Sequence, residues 1–191
     1  PVLISVCWPQ PSQTTVSPMA QKAQLSGHLP FAIMTAESAL DPGVTSPAGA
    51  RGLMQLMPNL AQEIHAAQNT GTQFDPDFLF RASTNATLGT IELTRLARYF
   101  DDTEMTPRLP LIIAGYNGGR EAVDRWVGTW KTLPTADAWS EFIGYSETRK
   151  YVRRVLGYLQ TYRLAYGDSQ PAQTSASSTD GSNANASPEQ P

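Results

Sequence analysis

Apolar residues recur along this chain of 191 residues with the 3.6-residue period of a helix, and no convincing run of two-residue alternation interrupts them. An all-α domain follows. Leu29, Ile33, Glu37 and Leu40 fall on one face of a helix that Pro30 opens and Asp41-Pro42-Gly43 stops. Leu60, Ala61 and Ile64 share a face after Pro58, and Leu88, Ile91, Leu96 and Phe100 do so after Asn85. Pro110 starts a strongly apolar helix over Leu111 to Tyr116, which Asn117-Gly118-Gly119 ends. Val123, Trp126, Val127 and Trp130 recur at helical spacing, as do Val152, Val155, Leu156, Leu159 and Tyr162. The pattern predicts six to eight short helices, with no internal repeat and no sustained heptad.

The length suits one globular domain with tails. Residues 1–15 read as a segment leading into a domain at 16–167. Residues 168–191 contain no aromatic residue, Leu, Ile or Val, so they bury too little apolar surface to offset their ordering entropy and read as a disordered, low-complexity tail. The first residue is Pro1 rather than Met, so the sequence reads as the continuation of a longer protein. Leu3-Ile4-Ser5-Val6-Cys7 has some likeness to a lipoprotein signal ending in a lipidated cysteine, but Val6 suits that position poorly and the basic segment before it is absent.

A net charge of −3 without a basic patch argues against a nucleic-acid partner. One cysteine excludes an internal disulfide, and two histidines with that cysteine make no closed zinc site, so neither a metal nor a cofactor is expected. No apolar run approaches the roughly 18 residues of a membrane span.

Glu37 does not fit its face. Ile33 precedes it by four residues and Leu40 follows by three, so its carboxyl falls where the pattern asks for an apolar side chain. Burial there disfavours the charged form and raises the pKa, as a general acid working near neutral pH requires. The competing reading is a helix-end glutamate that reaches solvent or pairs with an arginine such as Arg51.

The following residues favour the first reading. Glu37-Ser38-Ala39-Leu40-Asp41-Pro42, then Ser46-Pro47-Ala48-Gly49-Ala50 and Gly52-Leu53-Met54-Gln55, closely resemble the soluble lytic transglycosylase family. Asn85 with Gly89 resembles its Asn-x-x-x-Gly helix, Ala114-Gly115-Tyr116-Asn117-Gly118-Gly119 its Ala-Tyr-Asn-x-Gly motif, and Glu147-Thr148-Arg149-Lys150-Tyr151-Val152 the Glu-Thr-Arg-x-Tyr-Val motif of its large multidomain branch. Trp8-Pro9 is similar to the aromatic-Pro pair that leads into the catalytic domain of that branch. The resemblance spans about Trp8 to Gly167, and separated motifs in one order are far more specific than any one alone. Thr35-Ala36 before Glu37, Gly115 in place of Ala, and Gly119-Arg120 without Pro depart from the family pattern.

The resemblance implies a lysozyme-like, goose-type fold and cleavage of the β-1,4 bond between N-acetylmuramic acid and N-acetylglucosamine without water, leaving a 1,6-anhydro end. Glu37 would protonate the leaving oxygen and then accept the proton of the C6 hydroxyl as it attacks. The partners implied are peptidoglycan glycan strands, the location is the periplasm or cell envelope, and a monomer is expected. Ser38, Ser46, Gly49, Met54, Gln55, Tyr116, Asn117, Glu147 and Tyr151 are the expected substrate-binding residues. The small-residue turn at 46–52 would bring backbone N–H groups close to a sugar. Met54 and Gln55 would offer an apolar contact and an amide, while Met34 and Met57 read as core. Tyr116 is expected beside Glu37, its hydroxyl on the acid or the substrate.

For Glu147, a place in the first turn of the last helix and a substrate role remain equally open. Tyr151 is expected to line the cleft. Arg149, Lys150, Arg153 and Arg154 read as a solvated basic face, Trp126, Trp130 and Trp139 as core, and the sequon Asn85-Ala86-Thr87 as fortuitous. Two alternatives share this fold: a goose-type lysozyme-like hydrolase, and a wall-binding module that has lost turnover.

Overall fold

The computed structural model describes residues 6–69, 71–101, 108–129 and 142–167. Within them lie seven α-helices: α1 (Gln13–Lys22), α2 (Leu29–Ser38), α3 (Pro58–Ala67), α4 (Ala82–Tyr99), α5 (Arg108–Gly118), α6 (Arg120–Val127) and α7 (Ser146–Tyr166). A 3₁₀ turn, Pro76–Phe80, precedes α4. Among the described residues there is no strand, only two isolated β-bridges in the loop after α2. Trp130, Trp139, the tail at 168–191 and the first five residues lie outside the described residues.

The all-α reading holds, and α2 is its axis. Leu29, Phe31, Ala32, Ile33 and Met34 are all fully buried. A helix apolar on every side belongs in a core rather than on a surface. It lies against α7, and also packs on α1 and α4. Its end differs from the expectation. The last helical residue is Ser38, and Ala39 (φ 51°) and Leu40 (φ 68°) turn left-handed, so Leu40 belongs to the cap and not to the helical face. Two other starts also move. α4 opens at Ala82, which places Asn85 inside its first turns, and α5 opens at Arg108, with Pro110 tolerated where a helix has no N–H acceptor to lose.

Two apolar clusters result. The larger, the core of one lobe, joins α1, α2, α4, α5 and α7; the smaller, built from Leu56, Ala61, Ile64, Leu79 and Leu88, is the core of a second lobe under α3 and the 3₁₀ turn. Tyr116 of α5 packs on both, and the principal cleft is lined from both sides of that junction.

The segment at 8–10 is clasped to the end of α7. Trp8 packs edge-on against Tyr162, the Tyr166 hydroxyl donates to the Trp8 carbonyl (2.6 Å), and the Tyr162 hydroxyl donates to that of Pro9 (3.1 Å). His28 bridges the same region, one ring nitrogen 2.9 Å from Gln10 Nε2 and the other 2.9 Å from the Gly167 carbonyl.

The loop that carries Met54 is held to α4 by close approach. A Cβ on Gly89 would stand 2.9 Å from Met54 Cβ and Cε, inside any ordinary contact distance, so only glycine lets the loop reach the helix. Gly89→Ala is therefore expected to cost about 1–3 kcal/mol of stability through overpacking. Combining it with Met54→Ala is expected to cost less than the two single changes together. Urea denaturation of the four proteins checks both, and additive losses would show that the two sites do not touch.

Candidate active site

A cleft of 730 Å³ runs between the two lobes, and Glu37 lies in its wall. The geometry follows from α2. A helix that is buried along its length delivers its penultimate residue, half-buried, where the core ends and the cleft begins. One oxygen of the Glu37 carboxyl accepts a hydrogen bond of 2.6 Å from the Tyr151 hydroxyl of α7. Burial raises the Glu37 pKa above the ordinary carboxylate range; the Tyr151 hydrogen bond and the charge of Arg154 pull the other way and do not cancel it. The carboxyl also sits in the last turn of α2, where the helix dipole disfavours an anion. Arg51 is not its partner, because that guanidinium pairs with Asp77 at 2.9 Å and lies over the Phe80 ring.

The loop at 44–56 forms the facing wall. Arg51 and Leu56 exchange backbone hydrogen bonds of 2.9 and 3.1 Å, and Gly52 N–H donates to the Val44 carbonyl at 2.9 Å. The N–H groups of Ser46, Gly49 and Ala50 are also bonded within the loop. This corrects the expectation that the turn offers those groups to a ligand: they hold its own shape. Four bonds from three helices then fix the loop in place. Ser38 Oγ donates to the Leu53 carbonyl (2.9 Å), Met54 N–H to Asn85 Oδ1 (2.8 Å), Asn85 Nδ2 to the Arg51 carbonyl (2.8 Å), and the Tyr116 hydroxyl to the Met54 carbonyl (2.9 Å).

The sequence-predicted residues divide accordingly. Ser46, Gln55, Tyr116, Asn117 and Glu147 line the cleft with Glu37. Ser38 is buried and holds the loop, and Gly49, at φ 90°, makes the turn between Ser46 and Ala50. Gln55 lies on the wall, but its Nε2 donates to the carbonyls of Val44 (3.1 Å) and Gly52 (2.9 Å), which leaves the amide oxygen as its remaining polar atom. Asn117 Oδ1 accepts from Thr148 Oγ1 at 2.8 Å. Glu147 is exposed, in the first turn of α7, and on the cleft wall at once, so both of its readings are structurally available.

Four expectations, for two tyrosines and two methionines, are not met. Tyr116 was expected to place its hydroxyl on the acid or the substrate; it is bonded to Met54 instead, and Tyr151 holds the acid. Tyr151 is 2 % exposed and sits behind Glu37 rather than on the cleft wall. Met54, expected on the cleft, is fully buried, while Met57, expected in the core, is 39 % exposed and lines it. The reason is local. Gln55 at φ 46° breaks the helical phase between the two methionines, so their spacing of three carries no facial meaning.

The sequence reading did not single out Glu92 and Arg95 of α4, which also line the cleft. Glu92 falls one residue after Ile91, on a helix whose apolar stripe was read as complete. A carboxyl next to that stripe was the available signal, the same one that exposed Glu37.

Residues 15–138 match the family described as Transglycosylase SLT domain. The chain is 36% identical over 138 residues to the soluble lytic murein transglycosylase of Escherichia coli strain K12, an alignment that covers 72% of this chain and 21% of that protein. It is 32% identical over 151 residues to a putative soluble lytic murein transglycosylase of Haemophilus influenzae, covering 79% of this chain and 24% of the relative. Among solved structures it is similar to the 70 kDa soluble lytic transglycosylase of Escherichia coli, with a TM-score of 0.76, 31% identity, and 87% and 26% of the two chains covered. An inactive mutant of lytic transglycosylase Slt from Pseudomonas aeruginosa gives 0.73 and 30%, with 88% and 26% covered. The chain thus spans about a fifth to a quarter of the length of these relatives.

Because the Tyr151 hydroxyl stabilises the charged form of Glu37, its removal acts in one direction. Tyr151→Phe is expected to raise the Glu37 pKa further, as followed by carboxyl ¹³C chemical shifts against pH. An unchanged or lower value would mean that the 2.6 Å bond does not govern the acid.

Proposed function

Since this chain belongs to the Transglycosylase SLT domain family, we propose that it cleaves the glycan backbone of peptidoglycan, with Glu37 as the one residue that gives and then takes the proton. The observation that carries the reading is Glu37 itself. It is half-buried in the cleft, its pKa is raised by desolvation, and its geometry is fixed by the Tyr151 hydroxyl at 2.6 Å. A carboxyl that keeps its proton nearer to neutral pH is suited to protonate a glycosidic oxygen.

The steps follow in order. Glu37 donates its proton to the oxygen that leaves from the anomeric carbon. The substrate's acetamido group supports the positive charge that develops there. Glu37, now a carboxylate, accepts the proton of the C6 hydroxyl of the same sugar as that oxygen bonds to the anomeric carbon, giving a 1,6-anhydro-N-acetylmuramic acid end. No water is consumed. Because the nucleophile belongs to the reacting sugar, orientation is supplied by binding, an advantage of roughly 7–11 kcal/mol in well-placed intramolecular reactions.

The remaining residues suit a supporting part. Ser46, Gln55, Asn117 and Glu147 offer polar atoms along the cleft, and Met57 and Leu60 offer apolar surface to a sugar ring. Ser38, Met54, Asn85 and Tyr116 position the loop opposite the acid. The reading assigns catalysis to residues 16–167 and requires neither metal nor cofactor. A polymer of the bacterial wall as substrate sets the site of action in the cell envelope, with the periplasm the compartment we infer. Among the described residues no helix is long and apolar enough to cross a membrane.

Mass spectrometry of the soluble products released from purified peptidoglycan tests the proposal. Products one water lighter than reducing muropeptides are expected, and Glu37→Gln is expected to lower their formation by at least about a thousandfold while the fold persists. Reducing ends would instead identify a hydrolase on this fold, and binding without Glu37-dependent products a module that has lost turnover. With the acid required in its protonated form, activity is expected to fall as pH rises through the raised Glu37 pKa. Tyr151→Phe is expected to move that fall to higher pH and to lower kcat. A fall at the same pH in both proteins would contradict the role given to Glu37.

A further inference from the structure

Beyond Glu37, the same cleft carries a second group of charges, contributed by α3, α4 and α6: Glu63, Glu92, Arg95, Arg120 and Glu121. They are not evenly matched. Arg95 Nη1 is 3.0 Å from Glu63, and Arg120 Nε is 3.0 Å from Glu121. Each guanidinium is thus engaged by a carboxylate that is largely open to solvent. Glu92 is left over. Its side chain is only 17% exposed, its nearest cation is the same Arg95 nitrogen at 3.9 Å, and among the described residues no hydrogen-bond donor of the protein reaches it.

Burial pushes its carboxyl above the ordinary range, and Arg95 only partly opposes this. Glu37 and Glu92 line the same cleft, with Tyr116 on its wall as well. A carboxylate that is mostly, though not fully, removed from water and has only a long ion pair gains from a ligand that brings donors of its own. A sugar hydroxyl would supply one hydrogen bond and leave the charge in place. A primary ammonium supplies up to three donors and the missing positive charge.

We propose that Glu92 is a specificity-determining residue that receives a primary ammonium group of the bound wall polymer. Two parts of such a polymer carry this chemistry: the free amine of a diamino acid in a peptide stem, and a glucosamine that lacks its acetyl group. The inference rests on the proposed action on peptidoglycan but concerns which form of it binds. It sets Glu92 apart from Glu37, which handles the reacting bond, and gives the cleft preference for wall material with free amines.

The test is binding, so that it reads independently of turnover. In a Glu37→Gln background, the affinity for soluble peptidoglycan fragments with free amines is compared with that for the same fragments after acetylation of those amines. With Glu92 present, acetylation is expected to weaken binding about tenfold, the scale of one charge-assisted hydrogen bond in a partly exposed site. Glu92→Gln is expected to bind both preparations alike, and Arg95→Gln, which removes the nearest competing cation, to widen the difference. Glu92→Asp keeps the charge and is expected to retain a smaller difference of the same sign, which guards against a folding defect in one variant; thermal melts followed by circular dichroism register such a defect.

Fragments stripped of their stems separate the two sources. A difference that survives stripping assigns the amine to the sugar, and one that disappears assigns it to the stem. Equal affinity for acetylated and free-amine fragments would overturn the proposal. So would an equal loss for both preparations in Glu92→Gln, the mark of a plain hydroxyl contact. If instead the wild-type chain yields no anhydro products, the proposed reaction fails, while the dependence of binding on the amine is read separately.

Discussion

The backbone of Leu53 and Met54 is the point on which this site is assembled. The Leu53 carbonyl accepts from Ser38, the residue next to the acid; Met54 N–H donates to Asn85 of α4, and the Met54 carbonyl accepts from Tyr116 of α5. Three helices thereby meet on two peptide units. Each of these groups is buried or partly so, and a buried polar group left without a partner costs more than its hydrogen bond contributes. The loop consequently has one low-energy position relative to the end of α2. Gly89 allows the same approach sterically, and the full burial of Met54 makes it favourable, a side chain of that size contributing about 1.5–3 kcal/mol when removed from water.

The acid gains its properties from opposed influences of unequal size. Desolvation at the lobe junction favours the neutral carboxyl, and the C-terminal end of α2 acts in the same sense. The Tyr151 hydroxyl and Arg154 favour the anion without prevailing. The role proposed for Glu37, giving a proton and then taking one, is served by such a balance, since neither form is so stabilised that the other is out of reach. The Tyr151 hydrogen bond also holds one carboxyl oxygen, which leaves the other for the proposed proton transfer. Glu92 is also raised by burial, but among the described residues no hydrogen bond compensates it, and the two carboxyls of one cleft are proposed for different work.

The fold was legible because helical periodicity depends on neighbours three and four residues away. The apolar residues of α3, α4, α5 and α7 identified those helices, and Pro and Gly marked most of their ends. The boundaries that slipped did so where the cap was not written in residue type. α2 stops at Ser38 because Ala39 and Leu40 adopt left-handed conformations, and neither residue announces such a turn. Glu37 was visible for the opposite reason: a carboxylate on an apolar face is a local contradiction that only a tertiary role resolves. The family motifs then marked residues in and around the cleft without distinguishing where each sits. Ser38, Met54, Asn85 and Tyr116 shape the loop, while Met57, read as core, lies on the cleft wall.

By itself, then, the sequence determined the helical class, the out-of-place carboxyl of Glu37 and the family pattern, all of which rest on short-range spacing or on residue identity. What only the tertiary structure decided is the division of labour. That Tyr151 rather than Tyr116 holds Glu37 depends on α7 lying against α2 across 114 positions of chain. That Arg51 serves Asp77, and that Arg95 lies closer to Glu63 than to Glu92, depends on which side chains packing brings within 3 to 4 Å. Hydrogen bonds and ion pairs act over such distances in space, with no memory of separation along the chain, and for that reason their partners are fixed only when the helices have packed.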